Sequence, residues 1–146
     1  MKLRPYRAQD WPVVCEIYDL AKPEELVGVV APEAILPLDS DSSMRKLFAG
    51  STVTVAELNS RVVGFAGSRS NFITWLFVHP GFRKTGVASA LLNELLASLG
   101  WPVTLNVASG NVPARSLYGR FGFHVEREFV GMFQGTPCPV ARLRLA

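Results

Sequence analysis

The sequence is poor in the residue types that build metal and disulfide sites. Its 146 residues include only two cysteines and two histidines. Cys15 and Cys138 lie far apart, and neither belongs to a CxxC pair or to a metal-ligand spacing. We therefore expect two reduced thiols that pack as small apolar side chains, and no metal cofactor.

Long apolar runs and blocks of like charge are missing as well. No apolar stretch approaches the length of a membrane span, and the N-terminal "MKLRPYRAQDW" has charges without the apolar stretch of a secretory signal. The 15 Lys and Arg and the 12 Asp and Glu are spread along the chain, with no run of five like charges. These absences predict a cytoplasmic protein whose partners include neither a membrane nor a nucleic acid.

The remaining composition suits one folded unit. Hydrophobic residues make up 49% of the chain and charged residues 18%, which is enough apolar material for a core, so we expect a single domain over residues 1–146. The spacing of apolar residues predicts strand, helices, three antiparallel strands, helix, strand, helix and two strands. That order indicates an α/β fold with a mixed sheet.

The sequence marks several helix boundaries. Asp10 is expected to cap a helix that runs to about Lys22, with Pro12 in its first turn. The proline-rich stretch that follows predicts a short helical piece over 24–29 and a second short helix over 42–48.

Two strand features follow from the middle of the chain. The dipeptide "NS" at 59–60 separates two alternating runs and predicts a β-hairpin. "NFITWLFV", residues 71–78, is more continuously apolar and predicts a central strand covered on both faces. Strand alternation places Phe72 and Trp75 on opposite faces of it.

The stretch "VHPGFRKTGVASALL", residues 78–92, joins that strand to a helix. The first amides of a helix have no partner within the helix, and the helix dipole adds partial positive charge, so such a turn can hold an anion. Gly86 lets the backbone approach a ligand, Ala88 keeps the next turn uncrowded, and Arg83 and Lys84 add full charges. The turn matches neither the P-loop nor the GxGxxG pattern. Alone, it indicates either a diphosphate site or an ordinary turn with solvated basic residues.

Two motifs resemble hallmarks of the GNAT family, the GCN5-related N-acetyltransferases. Arg83-x-x-Gly86-x-Ala88 resembles the pyrophosphate signature of that family. Downstream, "LNVASGNVPARSLYGRFGF" resembles its second hallmark, N-x-x-A-x-x-L-Y-x-x-x-G-F, with matches at Asn111, Ala114, Leu117, Tyr118, Gly122 and Phe123. The resemblance implies the acyl-CoA N-acyltransferase fold. That fold is a mixed, mostly antiparallel sheet of six or seven strands with about four helices, splayed between the fourth and fifth strands.

The resemblance also implies an enzyme that moves an acetyl group from acetyl-CoA to a primary amine of a small molecule or peptide, in a ternary complex. By matching position, the coenzyme's pantetheine arm would pair with the backbone of Leu76, Phe77 and Val78. Its pyrophosphate would be held by the turn residues Arg83, Lys84, Thr85, Gly86, Val87 and Ala88. Asn111 would hydrogen-bond the coenzyme near the start of the second helix of the motif pair.

Two side chains are the expected catalytic residues. Tyr118 would place its hydroxyl near the thioester sulfur, where a proton donor helps the thiolate leave; the alternative is an aromatic residue packed in the core. A strand amide near Val78 could stabilise the oxyanion. Asn106 lies within an apolar strand, where its amide needs partners, and would face the acceptor or make a structural hydrogen bond at the splay.

The base that deprotonates the amine is not apparent. An alkyl amine has a pKa of about 10.4, so it arrives mostly protonated at neutral pH. Many members of the family have a Glu on the fourth strand, but Thr74 stands at that position here and the strand has no carboxylate. The alternatives are an ordered water chain, an acceptor of lower pKa, or a carboxylate of the first helix or its loop: Glu16, Asp19, Glu24 or Glu25. His79 is more typical of a strand end than of a base.

The acceptor itself cannot be identified from the sequence. In the family, its pocket is built by segments that correspond to residues 20–45 and 130–139, whose patterns are the least regular of the chain. The missing strand carboxylate leaves open a second function, that of a non-catalytic module that binds or senses acyl-CoA on the same fold. Homodimers are frequent in the family, so the resemblance is compatible with a homodimer.

Overall fold

The computed structural model describes the whole chain, Met1–Ala146, as a seven-stranded sheet with four α-helices. The strands are β1 (Lys2–Pro5), β2 (Thr52–Leu58), β3 (Arg61–Arg69), β4 (Phe72–Val78), β5 (Val103–Ala108), β6 (His124–Phe133) and β7 (Thr136–Leu145). The helices are α1 (Trp11–Glu25), α2 (Ser42–Ala49), α3 (Val87–Ser98) and α4 (Val112–Arg120). No helix is both long enough and apolar enough to cross a membrane.

The strand order across the sheet is β1-β2-β3-β4-β5-β7-β6. All neighbouring strands are antiparallel except β4 and β5, which are parallel. This confirms the predicted fold: a mixed, mostly antiparallel sheet, flanked by four helices and splayed between its fourth and fifth strands.

The sheet separates two apolar cores. On one face, α1 and α2 pack on an aromatic cluster that includes Tyr18, Phe48, Phe65 and Trp75. On the other face, α3 and α4 cover an aliphatic cluster that includes Leu91, Leu92, Leu105 and Leu143. Removing these side chains from water is the main favourable term in folding and holds both helical layers on the sheet.

The β2–β3 hairpin forms where the sequence predicts it. Asn59 and Ser60 both have positive φ, at 50° and 64°. Two consecutive residues with positive φ are typical of the type I′ turn, whose twist matches that of the flanking strands.

A β-bulge at Thr74 changes which face the β4 side chains occupy. The register with β3 moves from Gly67↔Trp75 to Ser68↔Ile73, so Thr74 is the extra residue. Ile73 packs in the α3 core and Trp75 in the α1 core. Phe72, which alternates with Ile73, therefore shares a face with Trp75, and the prediction of opposite faces is wrong because the bulge interrupts the alternation.

β4 and β5 separate after a short paired stretch. They pair only at Phe72↔Thr104 and Ile73↔Leu105, beyond which the two strands diverge. The β5-facing edge of β4 is therefore unpaired from Thr74 onward. β4 is central and covered on both faces, as predicted: Ile73 packs in the α3 core, and Trp75 and Phe77 pack in the α1 core. Its side chains alternate between buried and half-buried along its length because one side of the strand borders the opening.

The first helix differs from its prediction at both ends. Asp10 precedes α1, but its carboxylate makes no cap; it accepts hydrogen bonds from Arg4 Nη1 at 2.8 Å, Arg4 Nη2 at 2.9 Å and the Arg7 amide at 2.8 Å. The Arg4 guanidinium lowers the pKa of Asp10. α1 then continues through Pro23 to Glu25, so the short helix expected over 24–29 is absent, and the chain turns there instead.

The other expected helices form close to their predicted bounds. α2 begins after Asp41, whose Oδ1 accepts from the Met44 amide at 3.1 Å, as an N-cap does. Both cysteines are free: Cys138 is buried and Cys15 half-buried, and burial raises the pKa of Cys15 to about 11. The Cys15 thiol is therefore protonated at neutral pH.

Candidate active site

A cleft of about 580 Å³ occupies the opening between β4 and β5. The end of α1, the start of α3 and one side of α4 complete its walls. Of the twelve residues that the sequence predicts for the site, eleven line this cleft. The exception is Thr85, whose hydroxyl donates a hydrogen bond to the Phe82 carbonyl and so braces the turn before α3.

The turn before α3 has the geometry of an anion site. Lys84 has φ +60° and Gly86 has φ +85°, so the chain takes two left-handed steps before Val87. A glycine adopts this conformation without strain, whereas a non-glycine residue such as Lys84 does so rarely. The first intrahelical hydrogen bond runs from the Ala90 amide to the Gly86 carbonyl. The amides of the three residues before Ala90 thus have no partner within the helix, and they lie at the cleft.

Arg83 is held at the mouth of the cleft by an ion pair with Glu24 of α1. Both side chains are about half exposed, at 48% and 49%. Exposed pairs of this kind contribute little stability, on the order of 0–1 kcal/mol. A polyanionic ligand at the α3 turn can therefore compete with Glu24 for the Arg83 guanidinium.

Tyr118 projects from α4 into the interior beside the cleft. Its side chain is only 7% exposed, and its ring packs edge-on against Phe123 with a centroid distance of 5.5 Å. Burial raises the pKa of Tyr118, and the negative charge of Glu25 raises it further. The phenol therefore stays protonated at neutral pH, which is the state that a proton donor requires.

Glu25 is one of two carboxylates, with Glu24, that line the cleft. About a quarter of its side chain is exposed, but Oε2 is shielded from solvent and has no donor near it other than the Lys22 ammonium. Lys22 Nζ, one turn earlier, lies 3.3 Å from Oε2 as its ion-pair partner. Burial raises the pKa of Glu25, and the charges of Lys22 and Arg83 oppose that shift only in part.

The other three carboxylates considered from the sequence have partners of their own. Glu16 is about half exposed and lies 4.0 Å from Arg61 and 3.8 Å from His79. Asp19 Oδ1 accepts from the Leu38 amide at 2.9 Å, and Glu24 pairs with Arg83. Among the four, Glu24 and Glu25 line the cleft, and only Glu25 has a carboxylate oxygen that is shielded from solvent.

Thr74 of β4, which stands where many members of the family have a glutamate, is engaged in a hydrogen bond. Thr74 Oγ1 and Ser51 Oγ are 2.9 Å apart and share a hydrogen bond. His79 does not reach the cleft: its Nδ1 accepts from the Gly81 amide at 2.9 Å and caps the short turn after β4. This agrees with its interpretation as a strand-end residue.

The two asparagines of the prediction line the cleft and are both partly engaged. Asn106 Oδ1 accepts from Arg142 Nε at 3.1 Å, at the point where β5 leaves β4. Asn111 Oδ1 accepts from the Ala114 amide at 3.4 Å and caps α4. Each asparagine keeps its side-chain NH₂ group free to donate.

The two segments that were expected to build an acceptor pocket contact each other. The Leu36 amide donates to Gln134 Oε1 at 3.0 Å, and Gln134 Nε2 donates to Asp41 Oδ2 at 2.9 Å. Leu26 and Cys138 belong to a third apolar cluster between them. The loop after α1 is thus fastened to the tip of the β6–β7 hairpin.

A scan of protein families matches residues 49–125 to the acetyltransferase (GNAT) domain, which is more than half of the chain. The chain belongs to the GNAT family. The matched range includes both motifs, the α3 turn and Tyr118. The two segments that were expected to build the acceptor pocket, 20–45 and 130–139, lie entirely outside it.

Individual relatives agree with the family. YafP, an uncharacterized N-acetyltransferase of Escherichia coli K12, is 29% identical over 131 residues, which are 88% of this chain and 84% of YafP. A GCN5-related N-acetyltransferase structure from Rhodopseudomonas palustris superposes with a TM-score of 0.84 at 19% identity, over 98% of this chain and 93% of that one. The yncA protein of Salmonella typhimurium, named as an acetyltransferase and solved with its cofactor acetyl-CoA, gives a TM-score of 0.71 at 20% identity, over 99% and 92%.

Sequence reasoning did not single out Glu25 or Lys22 in this GNAT protein. Glu25 stood as one of four equivalent carboxylates, because the predicted end of α1 at Lys22 placed it in a separate short helical piece over 24–29. Continuation of the helix through Pro23 fixes Glu25 one turn after Lys22 and Ala21, on the face that meets the cleft. The predicted α1 ended before Pro23, whereas the helix accommodates this proline in its last turn.

Proposed function

We propose that this GNAT protein is an N-acetyltransferase that transfers the acetyl group of acetyl-CoA directly to a primary amine in a ternary complex. The observation that carries the proposal is the single cleft that joins the unpaired edge of β4, the free amides of α3 and the protonated phenol of Tyr118. We further propose that residues 1–146 act as one acetyltransferase domain. The acetyl-CoA bound to the structural relative yncA supports the choice of coenzyme.

The residues of the cleft fit coenzyme A. The free strand edge at Leu76–Val78 offers backbone groups to the amides of the pantetheine arm, as an added strand would. The start of α3, with Arg83 and Lys84, offers amides and positive charge to the pyrophosphate. Asn111, next to the same wall, would donate its free NH₂ to the coenzyme. When bound, acetyl-CoA supplies the reactive thioester.

Proton transfer is assigned to two side chains that line the same cleft. Glu25 would accept a proton from the acceptor's ammonium group, directly or through one water, so that the neutral nitrogen can attack the thioester. Tyr118 would donate its proton to the departing sulfur and recover one from the new amide nitrogen. The raised pKa of Glu25 suits a base, because it brings the carboxylate closer to neutral pH. The raised pKa of Tyr118 keeps the phenol protonated until the sulfur departs.

Backbone donors and Asn106 complete the assignment. An amide of the β4 edge near Val78 would stabilise the oxyanion of the thioester carbonyl. Asn106, held by Arg142, would position the acceptor on the α1 side of the cleft. In this arrangement Asn106 orients the substrate and moves no proton.

The test is acetyl transfer to a panel of primary amines that includes small alkyl amines, amino acids and short peptides with free N-termini or lysines. Release of the coenzyme A thiol is followed, and the acetylated product is confirmed by mass spectrometry. We expect at least one amine to raise thiol release well above the rate without amine. Tight acetyl-CoA binding with no transfer to any amine would contradict the proposal and favour the second candidate, a non-catalytic acyl-CoA-binding module. That alternative is motivated by the absence of a carboxylate on β4.

A further inference from the structure

Arginines cluster on the α1 side of the sheet, near the short stretch where β4 and β5 are still paired. Arg127 of β6 and Arg142 of β7 are direct cross-strand partners, and Arg144 follows on the same face of β7. We call Arg127, Arg142 and Arg144 the arginine face. Arg69 of β3 extends the positive charge, because it pairs across the strands with Phe72.

The arginine face has no acidic partner in the protein. No carboxylate lies within 4.0 Å of its three guanidinium groups, whereas Arg4, Arg61, Arg83 and Arg115 all have one. Arg144 Nε is shielded from solvent and has no hydrogen-bond partner. Glu128, although close in sequence, is not available because it lies near Arg115 of α4 on the opposite side of the sheet.

This arrangement is unfavourable for the protein alone. Like charges placed directly opposite on neighbouring strands destabilise a sheet, and a shielded donor without an acceptor loses free energy as well. A bound anion between Arg127 and Arg142 would relieve the first of these penalties. Guanidinium groups suit this role because their parallel N–H donors match the two oxygens of a carboxylate or the oxygens of a phosphate.

The arginine face is preformed and continuous with the cleft. Arg127 Cζ lies 4.6 Å from the centre of the Phe129 ring, and Arg142 Cζ lies 5.8 Å from that of Phe72. Arg142 Nε donates to Asn106, which lines the cleft. The two Nη groups of Arg142 have no acceptor in the protein.

The coenzyme's phosphates do not account for the arginine face. The α3 turn follows the last residue of β4, whereas Arg142 lies beside Phe72, its first residue. Seven strand residues separate the two places by roughly 20 Å. An anion at the arginine face is therefore separate from the pyrophosphate that the α3 turn would hold.

We propose that the arginine face binds an anionic group, a carboxylate or a phosphate, on the acceptor, so that the substrate class is an amine that also carries negative charge. This rests on the proposed function for the amine, but the anion site itself does not. Arg127 and Arg142 hold the anion between them, and Asn106 links that anchor to the reacting end of the cleft.

The anion site is tested without any transfer reaction. The protein is saturated with coenzyme A to occupy the α3 turn, and thermal unfolding is followed while malonate or inorganic phosphate replaces chloride at constant ionic strength. We expect both anions to raise the midpoint of the wild type and of Arg45→Gln, an exposed arginine of α2. The shift should vanish in Arg127→Gln and Arg142→Gln. Without the anion, Arg127→Gln should unfold no earlier than the wild type, because it removes one of two opposed charges.

The substrate class is tested with matched acceptors: glycine against glycinamide, and phosphoethanolamine against ethanolamine. We expect kcat/KM to favour the charged member of at least one pair by roughly tenfold or more, with the difference mainly in KM and lost in Arg142→Gln. The pair that shows the preference distinguishes a carboxylate from a phosphate.

Each contrary result has a distinct meaning. Malonate and phosphate without effect on the wild type, or with equal effect on the arginine variants, would overturn the anion site even if transfer occurs. Protection by the anions without transfer to any amine would overturn the proposed function and leave the anion site in place. Salt-dependent binding of an RNA oligonucleotide that is lost in Arg127→Gln would overturn the assignment to the acceptor and indicate a nucleic-acid partner.

Discussion

Replacing Tyr118 with phenylalanine is expected to lower kcat by roughly a hundredfold or more, the usual contribution of a positioned general acid. The dissociation constant for acetyl-CoA should stay within about twofold of the wild type, because a hydroxyl that acts on the departing sulfur adds little to ground-state binding. Steady-state kinetics at saturating coenzyme, together with equilibrium binding, measure both quantities.

Thermal unfolding supplies the control for Tyr118→Phe. The variant keeps the ring that packs edge-on against Phe123, with a centroid distance of 5.5 Å, and the Tyr118 hydroxyl makes no hydrogen bond to the protein that could be lost. The fold should therefore be as stable as in the wild type. Because the pKa of Tyr118 is raised, the wild type should show no alkaline loss of activity from this group below pH about 10. Equal turnover in variant and wild type would remove Tyr118 from the mechanism.

The Glu25→Gln variant is expected to lose roughly a hundredfold in kcat/KM at neutral pH, again the usual scale of general-base catalysis. In the wild type, kcat/KM should fall as the pH drops through the raised pKa of Glu25, and this acidic limb should be missing in the variant. Glu16→Gln is the matched control, since it removes a carboxylate from the exposed face of the same helix.

A nucleophile that is already unprotonated tests whether Glu25 acts by deprotonating the amine. Hydroxylamine is largely unprotonated at neutral pH, so the difference between Glu25→Gln and the wild type should narrow when it replaces an alkyl amine. A loss of the same size for both nucleophiles, with an unchanged pH profile, would contradict the role of Glu25 as a base.

Stability separates a catalytic role for Glu25 from a structural one. Its folded-state pKa is raised, so the folded protein holds this proton more tightly than the unfolded chain does. The wild type is therefore expected to lose stability as the pH rises from the unfolded value, about 4.3, through the folded value. Glu25→Gln should lack this loss and unfold no earlier at neutral pH. A clearly less stable variant would mean that the ion pair with Lys22 supports the fold.

Local sequence signals were sufficient for much of the architecture. The I′ turn needs residues that tolerate positive φ, and Asn59-Ser60 provides one such pair between two alternating runs. The α3 turn is similar, because Gly86 marks the left-handed step before the helix. In both cases a few adjacent residues determine the backbone, so the pattern can be recognised without knowing what surrounds it.

Features that depend on distant strands could not be predicted in this way. The bulge at Thr74 exists only in the register of β4 against β3, and it reverses the side on which Phe72 lies. The arginine face depends on the pairing of β6 with β7 and on the parallel contact of β4 with β5. Arg127 and Arg142 look like isolated surface charges in the sequence, and only the strand register places them opposite each other.

The most direct test of the account is thermal unfolding with and without acetyl-CoA, with ATP as a polyanion control. A ligand at about 100 times its dissociation constant adds about 2.7 kcal/mol to the free energy of unfolding, which corresponds to a rise of several degrees in the midpoint of a domain of this size. We predict that rise with acetyl-CoA and a much smaller one with ATP. Equal shifts would reduce the α3 turn to a general anion site, and no shift at saturating acetyl-CoA would contradict the coenzyme cleft itself.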